Sequence, residues 1–213
     1  MASKSKRNKV KFKWTKELSF LIAFVAIIGA VALTLVLVKK FSGRDIKEVN
    51  EAIVQFNESE SQTVYTLDTN KNVFRKISHD GLVSQKNSSD YTYVWYGTLT
   101  SADYLRNLYT LNEMAESYKV NTVYLYYADY VQNAINNDTK DTEAYKTTLK
   151  SMEDELNAGR TDATAIDLEK YAAIFVFKDG KLVYNSQVAE DSDKYDWKLQ
   201  FTKAFSFGYK EEE

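Results

Sequence analysis

The sequence predicts an α/β domain, a mixed sheet with helices on both faces, behind one N-terminal transmembrane helix. Three observations carry this. An uncharged run of 21 residues, Leu18 to Val38, stands near the N-terminus. Beyond it, aromatic and β-branched runs alternate with segments whose apolar residues recur every three or four positions. Late in the chain, two apolar runs flank the tight turn "KDG", which reads as an antiparallel hairpin added to parallel crossovers.

In the run "LSFLIAFVAIIGAVALTLVLV" only Ser19 and Thr34 are polar. A helix rises about 1.5 Å per residue, so this length matches a bilayer core of about 30 Å and exceeds what a buried soluble helix needs. A cleaved signal peptide would have an apolar core of about 7–15 residues and a small-x-small site. Here "KKFSG" follows a longer core, so an uncleaved anchor is expected. Lys4, Lys6, Arg7, Lys9, Lys11, Lys13 and Lys16 precede the run against Glu17 alone, while Lys39, Lys40, Arg44 and Lys47 follow it. The positive-inside bias places the N-terminus in the cytoplasm and the rest outside the cell membrane. The expected organisation is a basic cytoplasmic tail at 1–17, a transmembrane helix at 18–38 and a stalk or first helix at 39–64. An extracytoplasmic domain at 65–207 and an acidic tail at 208–213 complete it.

The whole-chain charge of −2 hides an asymmetry, because residues 41–213 hold 19 basic and 29 acidic residues, a net −10. An acidic exterior domain repels nucleic acid and anionic lipid, which leaves protein or glycan as the partner. The chain has no cysteine, which excludes disulfides, thiolate catalysis and cysteine–zinc sites. One histidine, His79, excludes a His-rich metal site. No cofactor is expected.

Taken in order, Ile46, Val49, Ile53 and Phe56 form one helical face, and "NESESQ" reads as a loop. Thr69–Ser78 reads as a short helix with Phe74 and Ile77 inward, and "HDGLVSQKNSSD" as a polar turn. "YTYVWYG" is a strand. Ser101 then caps a helix whose Tyr104, Leu108, Leu111, Ala115 and Tyr118 share a face, with Asp103 in its first turn. "VNTVYLYYADY" is the next strand. A helix with Tyr145, Leu149, Met152 and Leu156 inward runs from an Asp141 cap to Gly159 as its C′ glycine. The strands "YAAIFVF" and "KLVYNS" form the hairpin, and Trp197, Phe201 and Phe205 mark a closing helix.

Ser101 as a nucleophile would need a base, and His79 sits in the polar turn "SHDG" with no G-x-S-x-G context around the serine. Capping accounts for Ser101 in full. The acid pairs, such as Glu113 and Glu116, read as solvated helix surface. The chain has sixteen tyrosines, seven of them clustered in "DYTYVWYG" and "VYLYYADYV". They fill core and sheet edge, and the functional reading beside that is an exposed aromatic strip for a protein or glycan.

Over roughly residues 65–205 the order of elements resembles the thioredoxin-like fold family, in particular small membrane-anchored Gram-positive members. "YAAIFVFKDGKLVYNS" is similar to that family's late hairpin, with Ala172 in the place of its cis-proline. "YVWYGTLTSADYLRNL" is similar to the strand-to-helix turn that carries C-x-x-C. Matching on Gly97 puts the cysteine places at Ser101 and Tyr104, whereas matching on Trp95 puts them at Tyr96 and Leu99. Neither alignment finds a cysteine, so the resemblance implies an emptied redox site and a protein that is not an enzyme. With proline absent, a trans Tyr171–Ala172 peptide is expected, since a non-proline cis bond costs about 3–4 kcal/mol. The resemblance further implies a partner groove at Trp95, Gly97, Ser101, Tyr104, Tyr171 and Ala172. The expected function is non-catalytic binding or scaffolding of a protein partner at the outer membrane face. The alternative is an accessory subunit of a membrane complex, such as a secretion or bacteriocin-export system.

Overall fold

The computed structural model describes residues 46–60, 63–128, 142–161, 163–188 and 196–209. The predicted cytoplasmic tail, the span at 18–38, the first part of the stalk, the Asp141 cap and residues 210–213 lie outside them. Among the described residues no helix is long and apolar enough to cross a membrane.

The apolar face read from the sequence builds the first helix, α1 (46–60), whose Ile46, Val49 and Ile53 are fully buried. The helix continues through much of "NESESQ", where a loop was predicted. Its own side chains explain this. Asn50 exchanges two hydrogen bonds with the Leu67 backbone, both 2.8 Å, and Asn57 does the same with Val64 at 2.9 and 2.7 Å. These carboxamides do for the extended segment 64–67 what a neighbouring strand would do.

The next elements depart from expectation. Phe74–Lys76 is a strand, β1, rather than part of a helix. Its pairing with Val123–Leu125 and the full burial of Phe74 outweigh the weak local helical pattern. His79–Gln85 is a helix, α2, rather than a turn. Ser78 caps it by accepting the Gly81 N–H at 3.2 Å, and Leu82 is its one fully buried side chain.

The remaining elements follow the predicted order. They are β2 (Thr92–Gly97), α3 (Ala102–Ser117), β3 (Val123–Tyr127), α4 (Glu143–Asn157), β4 (Ala173–Lys178), β5 (Lys181–Asn185) and α5 (Trp197–Ser206). A 3₁₀ turn, Ser186–Val188, follows β5. Thr142 provides the α4 cap, accepting the Tyr145 N–H at 3.2 Å. Gly159, at φ 74°, supplies the left-handed residue after α4 that the sequence called for. Asp179 and Gly180, both at positive φ, make the two-residue hairpin turn whose twist matches the strands.

The five strands form one sheet in the order β1-β3-β2-β4-β5. β3 is parallel to both β1 and β2, while β4 is antiparallel to β2 and β5. β2 lies in the centre, with all six residues buried. Alternate residues therefore serve two cores. Tyr93 and Trp95 join Leu105, Leu108, Phe201 and Phe205 on the face covered by α1, α3 and α5. Val94 and Tyr96 join Leu82, Leu149, Met152 and Phe175 on the face covered by α2 and α4.

Candidate functional site

The end of β2 and the start of α3 form the turn that the sequence singles out. Ser101 is the N-cap, its hydroxyl accepting the Tyr104 N–H at 3.4 Å. Trp95 and Tyr104, both assigned to a partner groove, are fully buried. Their rings stack at 5.5 Å with 13° between planes, and Trp197 and Phe201 pack edge-on against the indole at 4.9 and 5.4 Å. The Trp95 indole N–H finds no acceptor among the described residues, as befits a ring enclosed by other rings. Gly97 lies directly under Tyr104, and a Cβ there would stand 2.3 Å from a ring carbon. Where the family resemblance places a second cysteine, this chain inserts an aromatic ring into the core.

Ser101 as a cap makes a first testable point. Ser101→Ala is expected to cost about 0.5–2 kcal/mol in denaturant unfolding, and Ser101→Asp to retain nearly full stability. An aspartate variant as unstable as the alanine one would rule capping out as its role.

His79 lies across the sheet from Ser101. Its ring nitrogens meet the Tyr126 hydroxyl at 2.9 Å and Glu155 at 3.3 Å, tying α2 to β3 and α4. The sole histidine is thus placed to brace two helices rather than to activate the serine.

The Tyr171–Ala172 peptide is cis, not trans as expected. The penalty of a non-proline cis bond applies to a free chain, whereas here the chain on both sides is tightly held. Glu153 accepts the Leu168 N–H at 2.8 Å, and Asn157 exchanges two hydrogen bonds with Ile166 at 2.8 and 3.1 Å. Gln187 donates to the carbonyls of Asp167 and Lys170, both at 2.6 Å, and accepts the Asp167 N–H at 3.0 Å. The Tyr96 hydroxyl donates to the Leu168 carbonyl. On the other side, the Ile174 N–H donates to Ser186 at 2.9 Å.

Charges in this loop are set by the same contacts. Burial raises the Glu153 carboxyl above its usual value, with the Leu168 N–H working against it. Burial alone would raise Asp167 too, but the Lys170 ammonium at 2.8 Å and the Glu169 N–H outweigh it and lower its pKa. Burial first, then neighbouring tyrosines, pushes the Tyr96 phenol well above its usual range, so it acts as a neutral donor.

Beside this loop opens a cleft of about 340 Å³. Asp103 lines it from the first turn of α3, and residues Glu169 to Ala172 from the loop. Ser186 and Gln187 line it after β5, and Trp197 from α5. Of the six predicted groove residues, only Tyr171 and Ala172 border this cleft, and Tyr171 is 43% exposed. Asp103 and Glu169 are exposed, whereas Lys170 is already paired with Asp167, so among the described residues the free charge of the cleft is negative. Among the described residues no group of three histidine or acidic side chains is placed to hold a metal.

No protein-family model matches the chain, and no curated protein matches it in sequence. The fold defines the class: an α/β domain with a five-stranded mixed sheet, thioredoxin-like in shape. Thiol–disulfide exchange is impossible for it, since the chain has no thiol to form a mixed disulfide.

Proposed function

We propose that this is a non-catalytic binding protein, anchored through residues 18–38 on the outer face of the cell membrane. In this reading it holds an extended, basic segment of a protein partner in the cleft beside Ala172. One observation carries it. The turn that would hold the chemistry is plugged by the Trp95–Tyr104 stack, yet an open cleft persists next to it. Tyr171 and Trp197 offer aromatic surface, and Asp103 and Glu169 offer carboxylates, which together suit lysine or arginine side chains. The uncharged span and the seven basic residues before it support the anchoring and orientation.

The test is a selection of random peptides on the full-length chain in lipid nanodiscs. Enriched sequences are expected to carry lysine or arginine, and to bind about tenfold more weakly to Tyr171→Ala and to Asp103→Asn. Both side chains are exposed, so folding should survive either change. A selection that enriches nothing, or peptides indifferent to both substitutions, would sink the reading.

A further inference from the structure

We propose a second binding site, for an uncharged pyranose oligosaccharide, in a tyrosine-lined cleft at the opposite end of the sheet. β2 and β3 are parallel, so Thr92 and Val123, where they begin, lie at the same end of the sheet. The loop before β2, the loop between α3 and β3, and the chain after α5 converge there. They enclose about 390 Å³, within the range of about 300–1,000 Å³ typical of small-ligand sites. This site lies away from the Ala172 cleft, which sits where β2 ends, and does not depend on it.

Its lining is mainly polar, with four tyrosines set into it, of which Tyr93 is buried and the other three are half-buried. Tyr91, Tyr93, Tyr118 and Tyr124 all line it. Tyr91 and Tyr93 stack at 6.4 Å with 28° between planes. Tyr118 is steadied by Phe205 at 5.9 Å and Tyr209 at 5.1 Å. The chain after α5 is closed down on these rings, since a Cβ at Gly208 would stand 2.2 Å from the Tyr93 hydroxyl. Burial, then the neighbouring Tyr91, pushes that phenol up to about 12 against the Gly208 N–H, so it remains an O–H group.

Between the rings stand polar groups with spare capacity. The Asn121 carboxamide and the Asp90 carboxylate are exposed at the cleft and make no side-chain hydrogen bond or ion pair with another described residue. A pyranose ring needs this combination. Its C–H face is apolar and stacks on a flat ring, while its equatorial hydroxyls seek planar groups that donate and accept together. Among the described residues lining the cleft the charged ones are Asp90 and Lys119, opposite in sign, which favours an uncharged ligand over a phosphate.

The experiment uses the full-length chain in lipid nanodiscs, free of glycosidic detergent, titrated calorimetrically with cellotetraose and with its N-acetylglucosamine counterpart. Saturable binding of at least one is expected, weakened about tenfold by Asn121→Ala and by Asp90→Ala at unchanged melting temperature. No saturable binding of either sugar well into the millimolar range would overturn the proposal. Equal binding by both variants would overturn the location, and preferential binding of glucose 6-phosphate would overturn the uncharged class.

Discussion

Trp95→Ala is expected to destabilise the domain by about 3–5 kcal/mol, as large a loss as any single change considered for this protein. For a domain of this size each kcal/mol moves Tm by about 2–4 °C, so a fall of about 6–20 °C should appear in circular dichroism. The indole is fully buried at the middle of the central strand, and three other aromatic rings are in contact with it. Its removal would leave a cavity between α3, α5 and the sheet, and three large rings rarely collapse into such a space together. Trp95→Phe should cost distinctly less, because it keeps ring contacts and discards an N–H that has no acceptor among the described residues. A loss below about 1 kcal/mol for the alanine variant would mean that the ring cluster is not the centre of the core.

That tryptophan also shows how far the sequence could be read. Its strand was legible from "YTYVWYG", and so were α3, α4, the β4–β5 hairpin and α5, because each carries a full period-two or period-3.6 pattern. β1 and α2 were not. β1 is three residues long and exists through its pairing with β3, which no local pattern reveals. α2 spans two turns, contains a glycine and buries a single leucine, so its own composition argues for a turn.

The site divides in the same way. Ser101 as a cap was plain from the sequence. Tyr104 carried two conflicting readings, a place on the buried face of α3 and a place in an open groove, and the helical periodicity was the better guide. The open cleft draws on four separate segments, which meet only after the sheet and its covering helices are assembled. Asp103 was noticed for its effect on the helix end alone, and Glu169, Ser186 and Gln187 had no local signal at all.

Gly97→Ala is the sharper probe of the plugged turn. Alanine is acceptable in a strand, and the swap should by itself gain about 0.4–1 kcal/mol by restricting the unfolded chain. Here it is expected to lose about 1–3 kcal/mol instead. The new methyl would stand 2.3 Å from Cδ2 and 3.0 Å from Cγ of Tyr104. Turning the ring about its own axis leaves Cγ in place, so the whole side chain must shift. It has little room, with Trp95 stacked on it and Tyr127 edge-on at 6.1 Å. A double-mutant cycle isolates this contact. Tyr104→Ala alone should cost about 3–5 kcal/mol, as for other buried aromatic truncations. In that background Gly97→Ala should become neutral or stabilising, because the methyl then enters space the ring has left. The two changes should therefore couple by about 1–3 kcal/mol, measured by urea unfolding of all four proteins. If Gly97→Ala costs the same with and without the Tyr104 ring, the ring does not fill the turn. The turn would then be open surface, and it would have to be reconsidered as a place where a partner or substrate could bind.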